Sequence, residues 1–201
     1  MLRIGIDFDN TIVNYDGVFH KAAVELGWLP EESDKIIGTS KEAVKNYFIE
    51  RDEEPRWTEL QGIVYGKAIV HAKPFQGLIR AIHDMLADNM LLFIVSHKTQ
   101  YPIIGDKLDF HEAAKTWLAE NGIEPHISQI YFCPEKDEKI QQISDLHLDW
   151  FIDDLPSILN HQQFPEHTKG VLFDPDGVHP AIENHSLARR WSDIPHILRG
   201  E

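Results

Sequence analysis

Two acids separated by a single residue and followed by a hydroxyl, Asp7-Phe8-Asp9-Asn10-Thr11, close a short, mostly apolar run at 2–8. Two further apolar runs end in polar clusters: 90–95 leads into Ser96-His97-Lys98-Thr99, and 150–152 leads into Asp153-Asp154. If these runs are neighbouring parallel strands, their carboxyl ends share one crevice, where ligands of open α/β sheets bind. Four carboxylates gathered there would repel one another strongly without a cation. An oxygen-rich set of this kind suits Mg²⁺, which keeps several waters and binds through a few carboxylates together with substrate phosphate.

The pattern around these clusters supplies the strands and helices that such a site needs. Leu78, Ile79, Ile82, Met85 and Leu86 have helical spacing, with Pro74 just ahead of them. After the run at 90–95, Ala113, Ala114, Trp117 and Leu118 share one helical face, and Asn121-Gly122 closes it. Further apolar runs at 129–132, 150–152 and 170–173 alternate with helical patterns at 140–146 and 155–161. Strands apolar on both faces and joined by helices imply a parallel sheet with right-handed crossovers.

One interval breaks the alternation. Roughly 60 residues after the first strand show no clear strand, yet 15–26, 39–50 and 57–70 read as helices. Thr39 and Glu42 have capping-box spacing. A structureless loop of that length is foreign to a compact domain, so the interval reads as an inserted helical subdomain. The organisation expected is an α/β core from 1–14 and 74–201, with a helical insertion at 15–73. The aromatic residues of the insertion, Trp28, Tyr47, Phe48, Trp57 and Tyr65, form its expected core.

Taken together, these features resemble the haloacid dehalogenase-like (HAD) hydrolase superfamily. Asp7-Phe8-Asp9-Asn10-Thr11 resembles the first motif of its phosphatase members, Asp-x-Asp-x-Thr/Val. Ser96 matches the second motif and Asp153-Asp154 the fourth, in the right order over the α/β portion. The resemblance implies a three-layer, Rossmann-like parallel sheet with a small α-helical cap inserted after the first strand. It implies that Asp7 is the nucleophile that forms an aspartyl-phosphate, and that Asp9 protonates the leaving group and then activates water. Mg²⁺ would be held by the Asp7 carboxylate, the Asp9 backbone carbonyl and Asp153 or Asp154. Thr11 and Ser96, with nearby backbone amides, would receive the phosphoryl oxygens; their neighbours Asn10 and His97 are further candidates for that contact, with a plain turn residue the alternative for His97. The family's third motif is a lysine that steadies the phosphorylated aspartate. Lys136 and Lys139 both lie at the start of the right helix, Lys139 directly before the apolar Ile140, and Lys98 is a third candidate. The second acid, Asp9, is present in phosphatases and phosphomutases and absent from the carbon–halogen hydrolases. The expected activity is therefore Mg²⁺-dependent hydrolysis of a small phosphorylated metabolite, a sugar phosphate or nucleotide, beneath a helical lid. A phosphomutase and a non-catalytic phosphate-binding protein are the alternatives.

Composition narrows the partners. The 201 residues carry 19 basic and 33 acidic side chains, a net charge of −14. Such a surplus disfavours nucleic acid and anionic membrane as partners. Residues 15–73 hold 8 basic and 11 acidic side chains, so most of the excess falls in the expected α/β core. A single cysteine, Cys133, precludes an intrachain disulfide, and the first residues lack a secretory pattern, so a cytoplasmic protein is expected. The 12 histidines are scattered and form no zinc-type cluster. Nothing in the sequence speaks to oligomeric state.

Overall fold

A computed structural model of the chain describes residues 1–180 and 184–201. Six strands form one sheet: β1 (Arg3–Ile6), β4 (Leu91–His97), β5 (Gln129–Cys133), β6 (Trp150–Asp153), β7 (Lys169–Phe173) and β8 (Ser186–Ala188). Their order is β5-β4-β1-β6-β7-β8, and every pairing is parallel. The two short strands between β1 and β4 in the chain, β2 (Val13–Asn14) and β3 (Lys73–Pro74), pair with each other.

The sheet is apolar on both faces because helices cover both. On one face Phe93, Val95, Phe151 and Leu172 pack with Ile140 and Ile143 of α7 (Lys136–Asp145) and with Ile158 and Leu159 of α8 (Pro156–Leu159). Alternation along a strand sends Leu92, Ile94, Val171 and Phe173 to the other face. There α5 (Leu78–Ala87) buries Leu78, Ala81, Ile82 and Met85, and it packs against α9 (Ile194–Arg199) and the short 3₁₀ turn Trp191–Asp193. The expected α/β architecture with helices on both sides of a parallel sheet is what the chain adopts. Strand β8 has only three residues, too few for a periodic signal, and the sequence did not announce it.

By compactness the chain divides into two units: 1–13, 74–98 and 121–201 in the first, 14–73 and 99–120 in the second. The second unit contains α1 (Val18–Glu25), α2 (Asp34–Ile37), α3 (Lys41–Ile49), α4 (Glu54–Tyr65) and α6 (Phe110–Glu120). Its core holds Phe19, Val44, Phe48, Trp57, Leu60 and Val64, with the Phe19 and Trp57 rings 5.1 Å apart.

Residues 99–120 depart from the sequence reading, which assigned them to the α/β core. The apolar face of α6 packs instead on α4 and on the 3₁₀ turn Ala68–His71. The Trp117 indole donates to the Ala72 carbonyl at 3.1 Å, and the Tyr65 and Phe110 rings meet at 6.1 Å. Spacing showed that α6 has an apolar face but not what covers it. The cap of α3 also differs. Ser40, not Thr39, accepts the Ala43 amide, while the Thr39 hydroxyl donates to Asp16.

Candidate active site

Register explains why the acids meet. Ile6 of β1 lies opposite Ile152 of β6, so the next residues, Asp7 and Asp153, leave the two central strands at the same level. The Asp7 amide still donates to the Ile152 carbonyl at 2.9 Å, which extends the ladder to the acid itself. Beyond it the chain turns back on itself: the amides of Ile12 and Val13 both donate to the Phe8 carbonyl. Asn10 takes a positive φ of 60° in this turn, a conformation that asparagine adopts more readily than most residues. Phe8 is fully buried, which sends Asp7 and Asp9 away from its hydrophobic surroundings.

Lys139 joins the acids. Its side chain is 1% exposed, and its ammonium donates to Asp7 Oδ1 and Asp153 Oδ2, each at 2.6 Å. It comes from the first turns of α7, whose apolar residues Ile140 and Ile143 press the helix against the sheet. The second Asp153 oxygen, Oδ1, accepts the Leu155 amide at 2.8 Å. Of the two lysines left open by the sequence, Lys139 is the one brought to the acids. Lys136 is exposed on the opening residue of the same helix and takes no part.

The buried charges of this group act on one another. Burial raises the Asp153 carboxyl to about 6, the Asp7 charge pushes the same way, and Lys139 opposes both. For Lys139 burial acts downward, but the charges of Asp153 and Asp7 outweigh it and the ammonium is held above its ordinary range. Asp7, Asp153 and the half-buried Asp154 each offer a carboxylate oxygen, all within 4.8 Å of one another. One lysine against three carboxylates leaves a formal charge of −2, which a divalent ion would neutralise. A set of three carboxylates fits Mg²⁺, which binds through a few protein oxygens, retains waters and accepts phosphate oxygens in its remaining positions.

Two hydroxyls complete the setting. Thr11 and Ser96 are buried, and neither side-chain oxygen has a hydrogen-bond partner among the described residues. An unpaired buried hydroxyl costs about 1–3 kcal/mol, so a ligand offering polar oxygens would recover that energy. Ser96 is the penultimate residue of β4, next to β1 in the sheet. The Thr11 carbonyl accepts the Trp191 indole N–H at 2.9 Å, a tie across 180 positions that no local pattern announces.

Two further expected site residues have partners outside the acid cluster. His97 is exposed, and its Nε2 donates to the Pro134 carbonyl at 2.9 Å, since a carbonyl can only accept. The hydrogen bond engages its ring with the loop after β5 rather than with the acid cluster. Asp9 is not among the three converging carboxylates, and its Oδ2 accepts Lys98 Nζ at 2.6 Å. The sequence named Lys98 only as a possible partner of Asp7. The structure gives it to Asp9.

No family model matches the sequence, and no curated protein matches it. Solved structures do. A haloacid dehalogenase-like family hydrolase from Streptococcus pneumoniae aligns over 98% of both chains with a TM-score of 0.67 at 16% identity. A putative HAD-hydrolase from Bacillus subtilis, bound to magnesium, aligns over 98% of both chains with a TM-score of 0.64 at 13% identity. A predicted phosphoglycolate phosphatase from Haemophilus somnus covers 97% of this chain and 96% of its own, with a TM-score of 0.60 at 14% identity. At these identities the likeness is one of fold.

Proposed function

We propose that this chain, which has the fold of the haloacid dehalogenase-like hydrolases, is a Mg²⁺-dependent phosphomonoester hydrolase acting on a small phosphorylated metabolite through an aspartyl-phosphate. One observation carries the proposal: two carboxylates two residues apart have different partners. Asp7 belongs to the anionic cluster around Lys139, and Asp9 is paired with Lys98 outside it. A double displacement needs that division, with one acid to attack and another to move protons. The magnesium-bound hydrolase and the predicted phosphatase among proteins of the same fold support the reading for metal and substrate class.

In this mechanism Asp7 attacks phosphorus, and the bond to the leaving oxygen breaks as Asp9 delivers a proton to it. Water then attacks the phosphorus of the aspartyl-phosphate while Asp9 takes up a proton, and Asp7 is regenerated as a carboxylate. Lys139 holds the attacking carboxylate in place and offsets negative charge as it is transferred. The Thr11 and Ser96 hydroxyls donate to the phosphoryl oxygens, which supplies the partners they lack among the described residues. When bound, Mg²⁺ would be held by Asp7, Asp153 and Asp154 and would supply charge compensation that lets an anion approach an anion. Small anionic metabolites rather than nucleic acid or membrane are the partners consistent with the acidic chain.

The test is phosphate release from a panel of sugar phosphates, nucleotides and small phospho-acids, with Mg²⁺ and with EDTA. Wild-type protein should release phosphate only with the metal. Asp7→Asn should lower kcat by about 10³-fold or more, while Asp9→Asn should lower it by about 10²–10⁴-fold. Turnover that survives Asp7→Asn or persists in EDTA would refute the mechanism.

A further inference from the structure

Trp191 is a core residue with a polar task. Its ring is fully buried, and its indole N–H donates at 2.9 Å to the carbonyl of Thr11. Thr11 is itself fully buried, and its hydroxyl has no hydrogen-bond partner among the described residues. The turn that carries Thr11 is fastened carbonyl by carbonyl. The Phe8 carbonyl accepts the amides of Ile12 and Val13, the Thr11 carbonyl accepts the indole, and the Ile12 carbonyl accepts the Phe75 amide at 3.1 Å. Phe75 leads back to the indole: its ring meets Phe173 at 4.9 Å, and Phe173 meets Trp191 at 5.6 Å. Strand β8 places Trp191, since the Asp174 amide donates to the Ala188 carbonyl three residues before it and prolongs the β7–β8 pairing.

We infer that Trp191 is a positioning residue for phosphoryl transfer: by pinning the Thr11 peptide it keeps the Thr11 hydroxyl in one orientation, ready to donate to a phosphoryl oxygen. The inference rests on the proposed function and deepens it. A threonine has few χ1 choices once its backbone is fixed, so an anchored peptide fixes the hydroxyl as well. A buried threonine commonly satisfies its hydroxyl on a carbonyl three or four residues back. Three back from Thr11 is the Phe8 carbonyl, whose two lone pairs are already taken by two amides. A donor oriented before substrate arrives does not have to turn as charge develops, which is where preorganised hydrogen bonds exceed mobile ones. The 3₁₀ turn at 191–193, near the end of the chain, thus serves a site built at its start.

The discriminating experiment is a double-mutant cycle. Trp191→Phe keeps an aromatic ring and removes the N–H, while Thr11→Val removes the hydroxyl at nearly constant shape. With Mg²⁺ present, kcat and KM for p-nitrophenyl phosphate and the inhibition constant of inorganic phosphate are measured for wild type, both single variants and the double variant. Thr11→Val should lower kcat/KM by about 10–100-fold, the worth of a hydrogen bond to a charged acceptor. Trp191→Phe should lower it about tenfold, with the larger part in kcat, and should raise the phosphate inhibition constant about threefold. Added to Thr11→Val, Trp191→Phe should cost less than about twofold, because the hydroxyl it positions is already gone. A tryptophan that serves only the core would slow both backgrounds equally. Losses that multiply in the double variant, or wild-type kinetics in Trp191→Phe, would therefore overturn the inference and leave the proposed function standing. Should Trp191→Phe fail to fold, Phe75→Leu takes its place in the cycle, since it loosens the same indole through Phe173 and keeps the backbone bond to Ile12. A wild-type protein that releases no phosphate from p-nitrophenyl phosphate or from the substrate panel removes the phosphohydrolase reading and the inference with it.

Discussion

Among single residues, Lys139 is the one that ties the acid cluster together. Buried between Asp7 and Asp153, it converts two repelling acids into a bonded triad, and removing its charge would leave both acids uncompensated. Lys139→Met should therefore destabilise the fold by about 3–5 kcal/mol, read as a lower urea midpoint at constant slope, as well as abolish turnover. A midpoint within experimental error of wild type would mean that the triad contributes nothing to folding. Local pattern located Lys139 to within one helical turn, since it stands just before the apolar Ile140 and Ile143. It could not separate Lys139 from Lys136, because both begin one helix and only the packed structure shows which of them points inward.

At the scale of elements, β1 is the scaffold of the site, pairing with β4 on one side and β6 on the other. Gly5 sits at its centre opposite Phe93 and Phe151. A Cβ on Gly5 would stand 2.4 Å from Leu148 Cδ1 and 2.6 Å from Phe151 Cδ2, well inside van der Waals contact. The absent side chain allows Phe151 to fill that layer, and Phe151 in turn lies 5.3 Å beneath the Lys139 ammonium. Gly5→Ala should cost about 1–3 kcal/mol in stability, measured by urea unfolding, and should lower activity by displacing Phe151 and Lys139. An unchanged midpoint would show that the neighbouring side chains yield without strain. The sequence showed β1 as an apolar run and α6 as an amphipathic helix with equal clarity, but it placed only the first correctly. A buried strand has nowhere to go but the sheet. The apolar face of α6 fits any apolar surface, and it found α4 and the 3₁₀ turn Ala68–His71.

For the molecule as a whole, the proposed metal site should link magnesium and pH through Asp153. Its carboxyl rises from an ordinary 3.8 to about 6 in the folded chain, so the folded state binds that proton more tightly than the unfolded state. Its contribution therefore favours folding below about pH 4 and declines as the pH rises to about 6. Magnesium needs the carboxylate, so its stabilisation should run the other way and grow as the pH rises through about 6. At about 100 times its dissociation constant a ligand adds about 2.7 kcal/mol, or about 5–10 °C in Tm for a chain of this size. Melting with Mg²⁺ or EDTA should show that increment at pH 7.5 and little of it at pH 5. An increment equal at both values would place the ion away from Asp153. Among the described residues no helix is long and apolar enough to cross a membrane, and the net charge of −14 lies mostly outside residues 15–73.

What the sequence determined by itself was the kind of fold and the cluster that could do chemistry. Both depend on short-range pattern: apolar runs that end in Asp7-Phe8-Asp9, in Ser96 and in Asp153-Asp154, at spacings that alternate with helices. What tertiary structure decided was pairing. Strand register brought Asp7 level with Asp153, helix packing chose Lys139 over Lys136, and the end of β4 gave Lys98 to Asp9 rather than to Asp7. Trp191 reached the Thr11 carbonyl from 180 positions away. Hydrophobic spacing specifies which face of an element is buried, but a hydrogen bond between distant residues depends on positions to within an ångström, which only the packed molecule sets.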